Sequence, residues 1–446
     1  MKGKIYKTGS LFEVSMEYTS IKEAMQKGSG KVALRGWVYR ERKSNKFIFL
    51  VVRDSTDILQ CVVKRDSIDD KTWNAAEKIL IETSVELEGT IKKDERAPTG
   101  YEVQVDKLDV VHYAEPFPIN KDQGVEFLAD NRHLWLRSRK MTSIMKVRST
   151  VFGAIHEYFR SNGFYEFQSP IFQSTQCEGG STLFEVDYFG KPVYLAQTWQ
   201  LYAEPAIFSL EKIYCIAPSF RAEKSKTSRH LTEYWHAEME VAWADFEDIQ
   251  NYAEELIKHV VKKVLETNED DLKLLERDTK TLKATVAKPF PRMTYTEALK
   301  ILEKKNKMKV QWGKDLRTVE EDELVKHYDT PIIVTRYPKI VKAFYMKEDP
   351  ENPDVVLGCD VLGPEGYGEL VGGSQREDKT EKIIERLKES CEDPANYKFY
   401  LDTRKYGSVP HGGFGMGVER LISWICGLET IKDAIPFPRT MERYTP

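Results

Sequence analysis

Residues 220–243 read FRAEKSKTSRHLTEYWHAEMEVAW, a pattern that predicts two strands joined by a polar, basic loop. Strand-like residues precede the loop, and apolar and polar residues alternate again after His230, as in half-buried strands. Arg221 and Glu223 stand two positions apart, so their side chains project from the same face of the first strand. A cation and a carboxylate on one face can hold a phosphate and an amine together. The alternative is an exposed ion pair on an edge hairpin, worth under about 1 kcal/mol.

A second informative stretch is HGGFGMGVERLI, residues 411–422, which predicts a strand that runs into a helix. Its glycines let the backbone pass close to a ligand, and Arg420 lies near the start of the helix, where the N-terminus favours anions. The stretch is neither a Walker A loop nor a dinucleotide-binding G-x-G-x-x-G turn. Tight packing of a helix on a sheet is the alternative explanation.

Two carboxylates and an arginine mark a third stretch, CDVLGPEGYGELVGGSQR, residues 359–376. Asp360 and Glu369 fall on neighbouring predicted strands, and Arg376 ends the stretch. Two such carboxylates are suitable hard ligands for Mg²⁺ that bridges nucleotide phosphates. The alternative is that both are ordinary acidic residues at strand ends.

The N-terminal part of the chain predicts a small β-barrel. Turn-forming residues separate strand-like runs at residues 32–39, 47–53, 58–63, 83–90 and 101–111, with a helix at 70–81. Five strands with a helix between the third and fourth are typical of an OB-fold, a Greek-key barrel that binds oligonucleotides on one face.

A change of composition separates this barrel from the rest of the chain. The stretch AEPFPINKDQG, residues 114–124, is rich in proline and polar residues and predicts a hinge. Helical periodicity follows at residues 141–161 and 246–266, with strands between and after these helices. We therefore predict an α+β protein with an OB-fold domain at 1–113, a hinge at 114–140, and an antiparallel sheet flanked by helices at 141–446.

Composition excludes several classes of protein. The 446 residues carry 31% charged side chains and a net charge of -4, which excludes a uniformly basic protein that coats nucleic acid. No apolar run approaches the roughly 18 residues that span a bilayer, and we expect no signal peptide. The six cysteines are scattered without a C-x-x-C pair, which favours a reducing compartment. We expect a cytoplasmic protein with neither a membrane nor a DNA partner.

Together, the three stretches resemble motifs 2 and 3 of the class II aminoacyl-tRNA synthetases and the acidic strand between them. The string F-R-A-E-x-x-x-T-x-R-H-L-x-E, residues 220–233, is highly specific for that family. A predicted helix to Gly163, followed by FYEFQSPIF with Pro170, is similar to motif 1. The N-terminal OB-fold resembles the anticodon-binding domain of the aspartate, asparagine and lysine subgroup, so the resemblance covers nearly the whole chain.

The string QLYAE, residues 200–204, bears on the choice of amino acid. Aspartyl members of the family carry Q-L-[YF]-K-Q, whose lysine contacts the substrate carboxylate, whereas asparaginyl members carry Q-L-x-x-E. Here Ala203 stands in place of that lysine, and Glu204 follows it. Loss of a cation and gain of an anion suit an amide, whose NH₂ can donate to a carboxylate. The alternative is that Glu204 caps or pairs locally.

The resemblance implies a role for each matched residue of the second domain. Arg221 would hold the α-phosphate of ATP, Glu369 would bind Mg²⁺, and Arg420 would hold the γ-phosphate, which makes these three the catalytic candidates. The other ATP-site candidates are Glu223, Arg229, His230, Leu231 and Gly417, and the second Mg²⁺ ligand is Asp360. The candidates for binding the amino acid are Glu178, Gln200, Glu204, Arg221, Gly372 and Arg376. The loop GPEGYG, between Asp360 and Glu369, is longer than in aspartyl members of the family. Its length affects the alignment of Asp360 with the metal-binding residue of those members.

The resemblance also implies the partners. L-Asparagine would attack ATP to give asparaginyl-adenylate and pyrophosphate, and the 3′ end of tRNA(Asn) would take the activated amino acid. In the barrel, Phe49 would stack on the central base of the anticodon and Gln60 would hydrogen-bond it, with Arg40 and Arg42 on phosphates. Alternatives are that Phe49 belongs to the barrel core and that the arginines lie on a solvated hairpin tip. The motif 1 resemblance implies a homodimer.

Three other functions fit parts of the pattern. An aspartate–tRNA ligase is the first, and Ala203 argues against it. A tRNA-independent asparagine synthetase on the same catalytic fold is the second, but such relatives lack the OB-fold domain. A catalytically inactive RNA-binding paralogue is the third, and the intact set Arg221, Glu223, Asp360, Glu369 and Arg420 argues against it.

Overall fold

The computed structural model describes residues 17–175, 177, 182–224, 227 and 229–446. The chain divides into two compact units, Met1–Leu128 and Ala129–Pro446. The segment predicted as a hinge includes two short helices, α3 (Val125–Asp130) and α4 (Arg132–Trp135), numbered here by their place in the chain. The domain boundaries proposed from the sequence stay a prediction.

The first unit is the predicted OB-fold. Its strands form a closed barrel in the order β1-β2-β3-β5-β4, with β3 and β5 parallel and the other pairs antiparallel. The elements are α1 (Ile21–Lys27), β1 (Gly30–Lys43), β2 (Phe47–Arg53), β3 (Ile58–Lys64), α2 (Asp70–Glu77), β4 (Ser84–Lys93) and β5 (Tyr101–His112). The predicted strands and helices all lie within or close to these bounds.

Alternation along β2 decides which side chains fill the barrel. Ile48, Leu50 and Val52 are fully buried, whereas Phe47 and Phe49 lie on the outer face because successive residues of a strand point to opposite faces. The alternative that Phe49 is a core residue is therefore wrong.

The second unit holds the remaining elements. The helices are α5 (Arg139–Ser161), α6 (Gln200–Leu210), α7 (Phe246–Thr267), α8 (Glu269–Leu274), α9 (Lys280–Ala287), α10 (Tyr295–Asn306), α11 (Thr318–Val325), α12 (Thr380–Glu389), α13 (Lys398–Asp402) and α14 (Val418–Cys426). The strands are β6 (Tyr165–Glu166), β7 (Phe172–Gln173), β8 (Glu185–Tyr188), β9 (Lys191–Leu195), β10 (Lys212–Phe220), β11 (Glu233–Ala242), β12 (Arg292–Thr294), β13 (Ile332–Thr335), β14 (Glu348–Asp349), β15 (Asn352–Val356), β16 (Gly358–Gly363), β17 (Gly368–Gln375) and β18 (His411–Gly417).

Strands of the second unit form a large mixed sheet. Among the described residues its order is β12-β13-β16-β17-β18-β11-β10-β6. The inner pairs are antiparallel as predicted, and the pairs at the two edges, β12 with β13 and β10 with β6, are parallel. Helices α5, α7 and α14 bury the apolar side of this sheet in one large core.

Local sequence explains where the long helices begin. Asp245 caps α7 by accepting from the backbone N–H groups of Glu247 and Asp248. The Asp248 carboxylate in turn accepts from the backbone N–H of Asp245. Ser138 caps α5 in a similar way. Such caps satisfy N–H groups that have no partner within the helix. No helix of the described residues has both the length and the apolarity that a membrane crossing requires.

Candidate active site

The polar face of the sheet carries two adjoining cavities. The larger, here the central cavity, has a volume of about 510 Å³, and the smaller, here the phosphate-side cavity, about 190 Å³. Predicted residues in the wall of the central cavity are Gln200, Arg221, Asp360, Glu369, Gly372 and Arg376. Those in the wall of the phosphate-side cavity are Arg221, Glu223, Arg229, His230, Leu231, Glu369, Gly417 and Arg420. Arg221 and Glu369 border both cavities.

Arginines surround the phosphate-side cavity. Arg221 follows β10 and lies 3.9 Å from Glu223, with its guanidinium 5.7 Å from the centre of the Tyr234 ring. Arg420, in the first turn of α14, donates to the backbone oxygen of Glu369 at 2.6 Å. These guanidinium groups can bind phosphate oxygens in pairs of hydrogen bonds.

Helix α11 lies behind one wall residue of this cavity, Arg229. Arg229 donates to both carboxylate oxygens of Asp322, at 3.3 and 3.0 Å. His230 lies 3.5 Å from Glu223, and burial lowers the pKa of its imidazole, which favours the neutral ring. No sequence pattern indicated Asp322, because the polar segment 270–330 carries no recognisable motif.

Two carboxylates meet at Gly372 on β17. A Cβ atom at that glycine would lie 2.7 Å from Oε1 of Glu369 and 3.8 Å from Oδ1 of Asp360, so a side chain there would displace the Glu369 carboxylate. Lys342 donates to Asp360 at 2.6 Å. Burial raises the pKa of Asp360 to about 6; Lys342 opposes the shift and Glu369 adds to it.

Asp360 and Glu369 are the candidate metal ligands of the central cavity. Among the described residues, no group of three or more His, Cys, Asp or Glu side chains is arranged to hold an ion. Asp360 and Glu369 alone suit Mg²⁺, which is bound through one or two carboxylates while phosphate and water complete its shell. The residues therefore fit a Mg²⁺ ion that arrives with a nucleotide.

The amino-acid end of the central cavity is built around Arg376. Its guanidinium donates to Glu240 on β11, at 3.1 Å through Nε, and to Ser374 Oγ at 2.6 Å. Gln200, at the start of α6, lies in the same wall. Glu178 lies outside the described residues.

Glu204 does not line this cavity. Its side chain has no exposed surface, and its carboxylate accepts from Gln200 Nε2 at 2.9 Å, from Tyr400 at 3.0 Å and from Arg404, with His411 at 3.1 Å. The prediction that Glu204 binds the substrate side chain is therefore corrected: its carboxylate is fully buried behind the cavity wall and does not border the cavity. Glu204 instead pairs with neighbouring protein groups, which was the alternative explanation.

Sequence reasoning missed a buried carboxylate that does line the central cavity. Glu238 on β11 accepts from the backbone N–H of Trp199 at 2.8 Å and from the hydroxyl of Thr198, and lies 3.2 Å from His236. Burial opposes ionisation, but His236 and these hydrogen bonds outweigh it and lower the pKa of Glu238. The available signal in the sequence was that His236, Glu238 and Glu240 alternate along β11, which places their side chains on one face of the sheet.

The barrel brings the predicted anticodon residues to one outer face. Cross-strand pairing places Arg42 opposite Phe49, and Arg40 opposite Val51, which in turn pairs with Gln60. Phe49 is half-buried beside Phe47, with ring centres 6.1 Å apart. Gln60 donates to Glu102 at 3.1 Å.

An OB-fold barrel, together with a second unit whose sheet gathers these arginines and carboxylates, defines a class II aminoacyl-tRNA synthetase. The family described as tRNA synthetases class II (D, K and N) matches residues 124–441, and the OB-fold nucleic acid binding domain matches residues 32–111.

Comparison with individual proteins narrows the class. The chain is 51% identical to an asparagine–tRNA ligase of Thermoplasma acidophilum over 93% of this chain and 96% of that protein, and 46% identical to one of Pelotomaculum thermopropionicum over 97% and 100%. The structure of asparaginyl-tRNA synthetase from Pyrococcus horikoshii complexed with asparaginyl-adenylate is similar, with a TM-score of 0.92, 47% identity and coverage of 97% of this chain and 100% of that one. The chain belongs to the asparagine–tRNA ligase family.

Proposed function

We propose that this protein activates L-asparagine with ATP and transfers it to the 3′ end of tRNA(Asn). The observation that carries the proposal is the balance of charge at the amino-acid end of the central cavity. Arg376 is the cation there, and Glu240 already pairs with it, while Glu238 adds a buried carboxylate to the wall. Ala203, fully buried, supplies no second cation.

This balance favours an amide over a carboxylate. The amide oxygen of asparagine can accept from Arg376, and its NH₂ can donate to a carboxylate such as Glu238. An aspartate side chain in the same place would meet that carboxylate without a free cation, and a buried unpaired charge is costly.

Exchange of pyrophosphate into ATP, measured with each amino acid in turn, tests this proposal. We expect asparagine to exceed aspartate by about a hundredfold in kcat/KM, because the cost falls on aspartate alone. Equal exchange with the two amino acids would contradict the assignment.

The remaining groups account for adenylate formation without a protein nucleophile. We place the α-phosphate at Arg221, between the two cavities, and the γ-phosphate at Arg420, with His230, Leu231 and Gly417 in the same wall. Asp360 and Glu369 would hold Mg²⁺, which supplies charge neutralisation to the phosphates when it is bound. Positioning and charge stabilisation can carry such a transfer.

We further propose that the protein is a cytoplasmic homodimer. Supporting the dimer, several large apolar side chains that follow α5 are exposed in the single chain, among them Tyr165, Ile171 and Phe172. Supporting the location, all six cysteines are free thiols, as is usual in a reducing compartment.

The outer face of the barrel provides a separate test. Phe49→Ala should lower kcat/KM for tRNA about tenfold to a hundredfold and leave ATP–pyrophosphate exchange near wild type, since a lost base stack costs roughly 1–3 kcal/mol. Phe47→Ala, on the same face, is the matched control. Unchanged tRNA charging by a folded Phe49→Ala variant would assign the stacking role to another residue.

A further inference from the structure

A third cavity lies on the opposite face of the sheet from the central cavity. This rear cavity has a volume of about 590 Å³ and is bordered by the start of α7 and by β12, β13 and the end of β17. The alternation of β17 separates the two sites: Arg376 belongs to the central cavity, and Gln375 to the rear cavity. None of the roles proposed above uses the rear cavity.

Two buried amides form the floor of the rear cavity. Gln375 is 8% exposed, and its side chain makes no hydrogen bond within the part of the chain that the structure describes. Gln250 is 7% exposed and uses its Nε2 for the backbone oxygen of Phe246, at 3.0 Å, so its Oε1 has no donor among the described residues. Both amide oxygens border the cavity and accept no hydrogen bond from the described residues, so this floor can bind a ligand that donates hydrogen bonds.

The rim of the rear cavity is acidic. Its carboxylates are Asp245, Glu247, Glu297, Asp349 and Glu351, against the two guanidinium groups of Arg292 and Arg336.

Ion pairs within the protein neutralise some of these charged groups. Arg336 pairs with Asp349 at 2.6 Å, and Arg292 lies 3.4 Å from Glu254, which is outside the rim. Glu247 and Glu351 have no ion-pair partner among the described residues. The rim therefore repels anions and presents two carboxylates to a cation.

We propose that the rear cavity binds a small organic dication of the diamine class. One ammonium would donate to the carboxylates of Glu247 and Glu351. The other would reach the floor and donate to the amide oxygens of Gln250 and Gln375. A short alkyl chain between them fits the apolar part of the wall, which includes Phe246, Met293 and Leu357. A bare metal ion fits less well, since the carboxylates of the described residues are nowhere arranged in a group of three or more that could hold one.

Calorimetric titration of the full chain with putrescine tests the proposal. The central cavity is first filled with a non-hydrolysable analogue of asparaginyl-adenylate, so that its own carboxylates do not contribute. We expect saturable binding of one putrescine per chain, and none of 1,4-butanediol, which has the same length without charge. Absence of saturable binding, or equal binding of the diol, would overturn the proposal.

Substitutions locate the binding. Gln375→Leu should weaken putrescine binding about tenfold or more, because a charge-assisted hydrogen bond is lost. The double variant Glu247→Gln/Glu351→Gln changes only exposed side chains and should weaken it by a similar factor. Glu303→Gln, an exposed carboxylate elsewhere on α10, is the control and should bind as wild type. If Gln375→Leu fails to fold, the double variant decides, and unchanged affinity in it would overturn the proposal.

Discussion

Arg221→Ala is expected to lose ATP–pyrophosphate exchange by about a thousandfold or more while it keeps the wild-type fold. Arg221 borders both cavities, between the residues that we assign to asparagine and those that we assign to the outer phosphates. On these assignments, the reacting α-phosphorus lies close to its guanidinium. In phosphoryl transfer, an arginine that stabilises charge on the transferred phosphoryl group raises the rate by a factor on the order of 10³–10⁵, so its removal costs about that factor.

Two controls make this result specific. Lys309→Ala removes a cation that is 87% exposed, in the same unit, and should leave exchange unchanged. Arg221→Lys keeps the charge but loses the planar fork, so its rate should fall between those of the wild type and the alanine variant. Circular dichroism melting curves report whether the fold survives. Exchange near the wild-type rate in a folded Arg221→Ala variant would refute the role.

Local patterns were sufficient for the barrel and for much of the site. Along β2, alternation puts Phe47 and Phe49 on one face and Ile48 and Leu50 on the other, and the folded barrel shows that the second face is the buried one. The candidate site residues lie in short motifs, so Arg221, Glu223 and Arg420 could be selected without knowledge of the fold.

Contacts between distant parts of the chain could not be predicted in this way. Asp322 reaches Arg229 from a helix 93 residues further along the chain, and nothing near either residue indicates the pair. Segment 270–330 is polar and carries no recognisable motif; its apolar residues, such as Tyr295, Leu302 and Leu324, form a separate small core only in the folded structure.

Glu204 illustrates the same limit at the site itself. Its partners Tyr400, Arg404 and His411 lie about two hundred residues away in sequence, so the sequence left its surroundings open. Burial alone would raise the pKa of Glu204, but Arg404 and then His411 outweigh it and hold that pKa well below its ordinary value of 4.5. Because Arg404 is also fully buried, the pair is a structural element of the wall that positions Gln200 and borders Arg376.

Glu204→Gln is therefore expected to lower the free energy of unfolding of the second unit by about 3–5 kcal/mol, since it leaves the buried charge of Arg404 without its counter-ion. Urea denaturation at pH 7 measures this loss. A carboxylate with a lowered pKa stabilises the fold above the pKa that it has when unfolded, and this contribution disappears as the pH falls through the folded pKa. The difference in stability between wild type and variant should accordingly shrink below about pH 4.5.

The matched variant Glu238→Gln separates positioning from substrate contact. Glu238 is also buried, but it borders the central cavity, so its loss should raise KM for asparagine and reduce the preference over aspartate. Glu204→Gln should instead act mainly on stability, with asparagine discrimination retained in the folded fraction. If Glu204→Gln were as stable as the wild type and accepted aspartate, Glu204 would be the residue that contacts the substrate, and the wall seen here would have to open when asparagine binds.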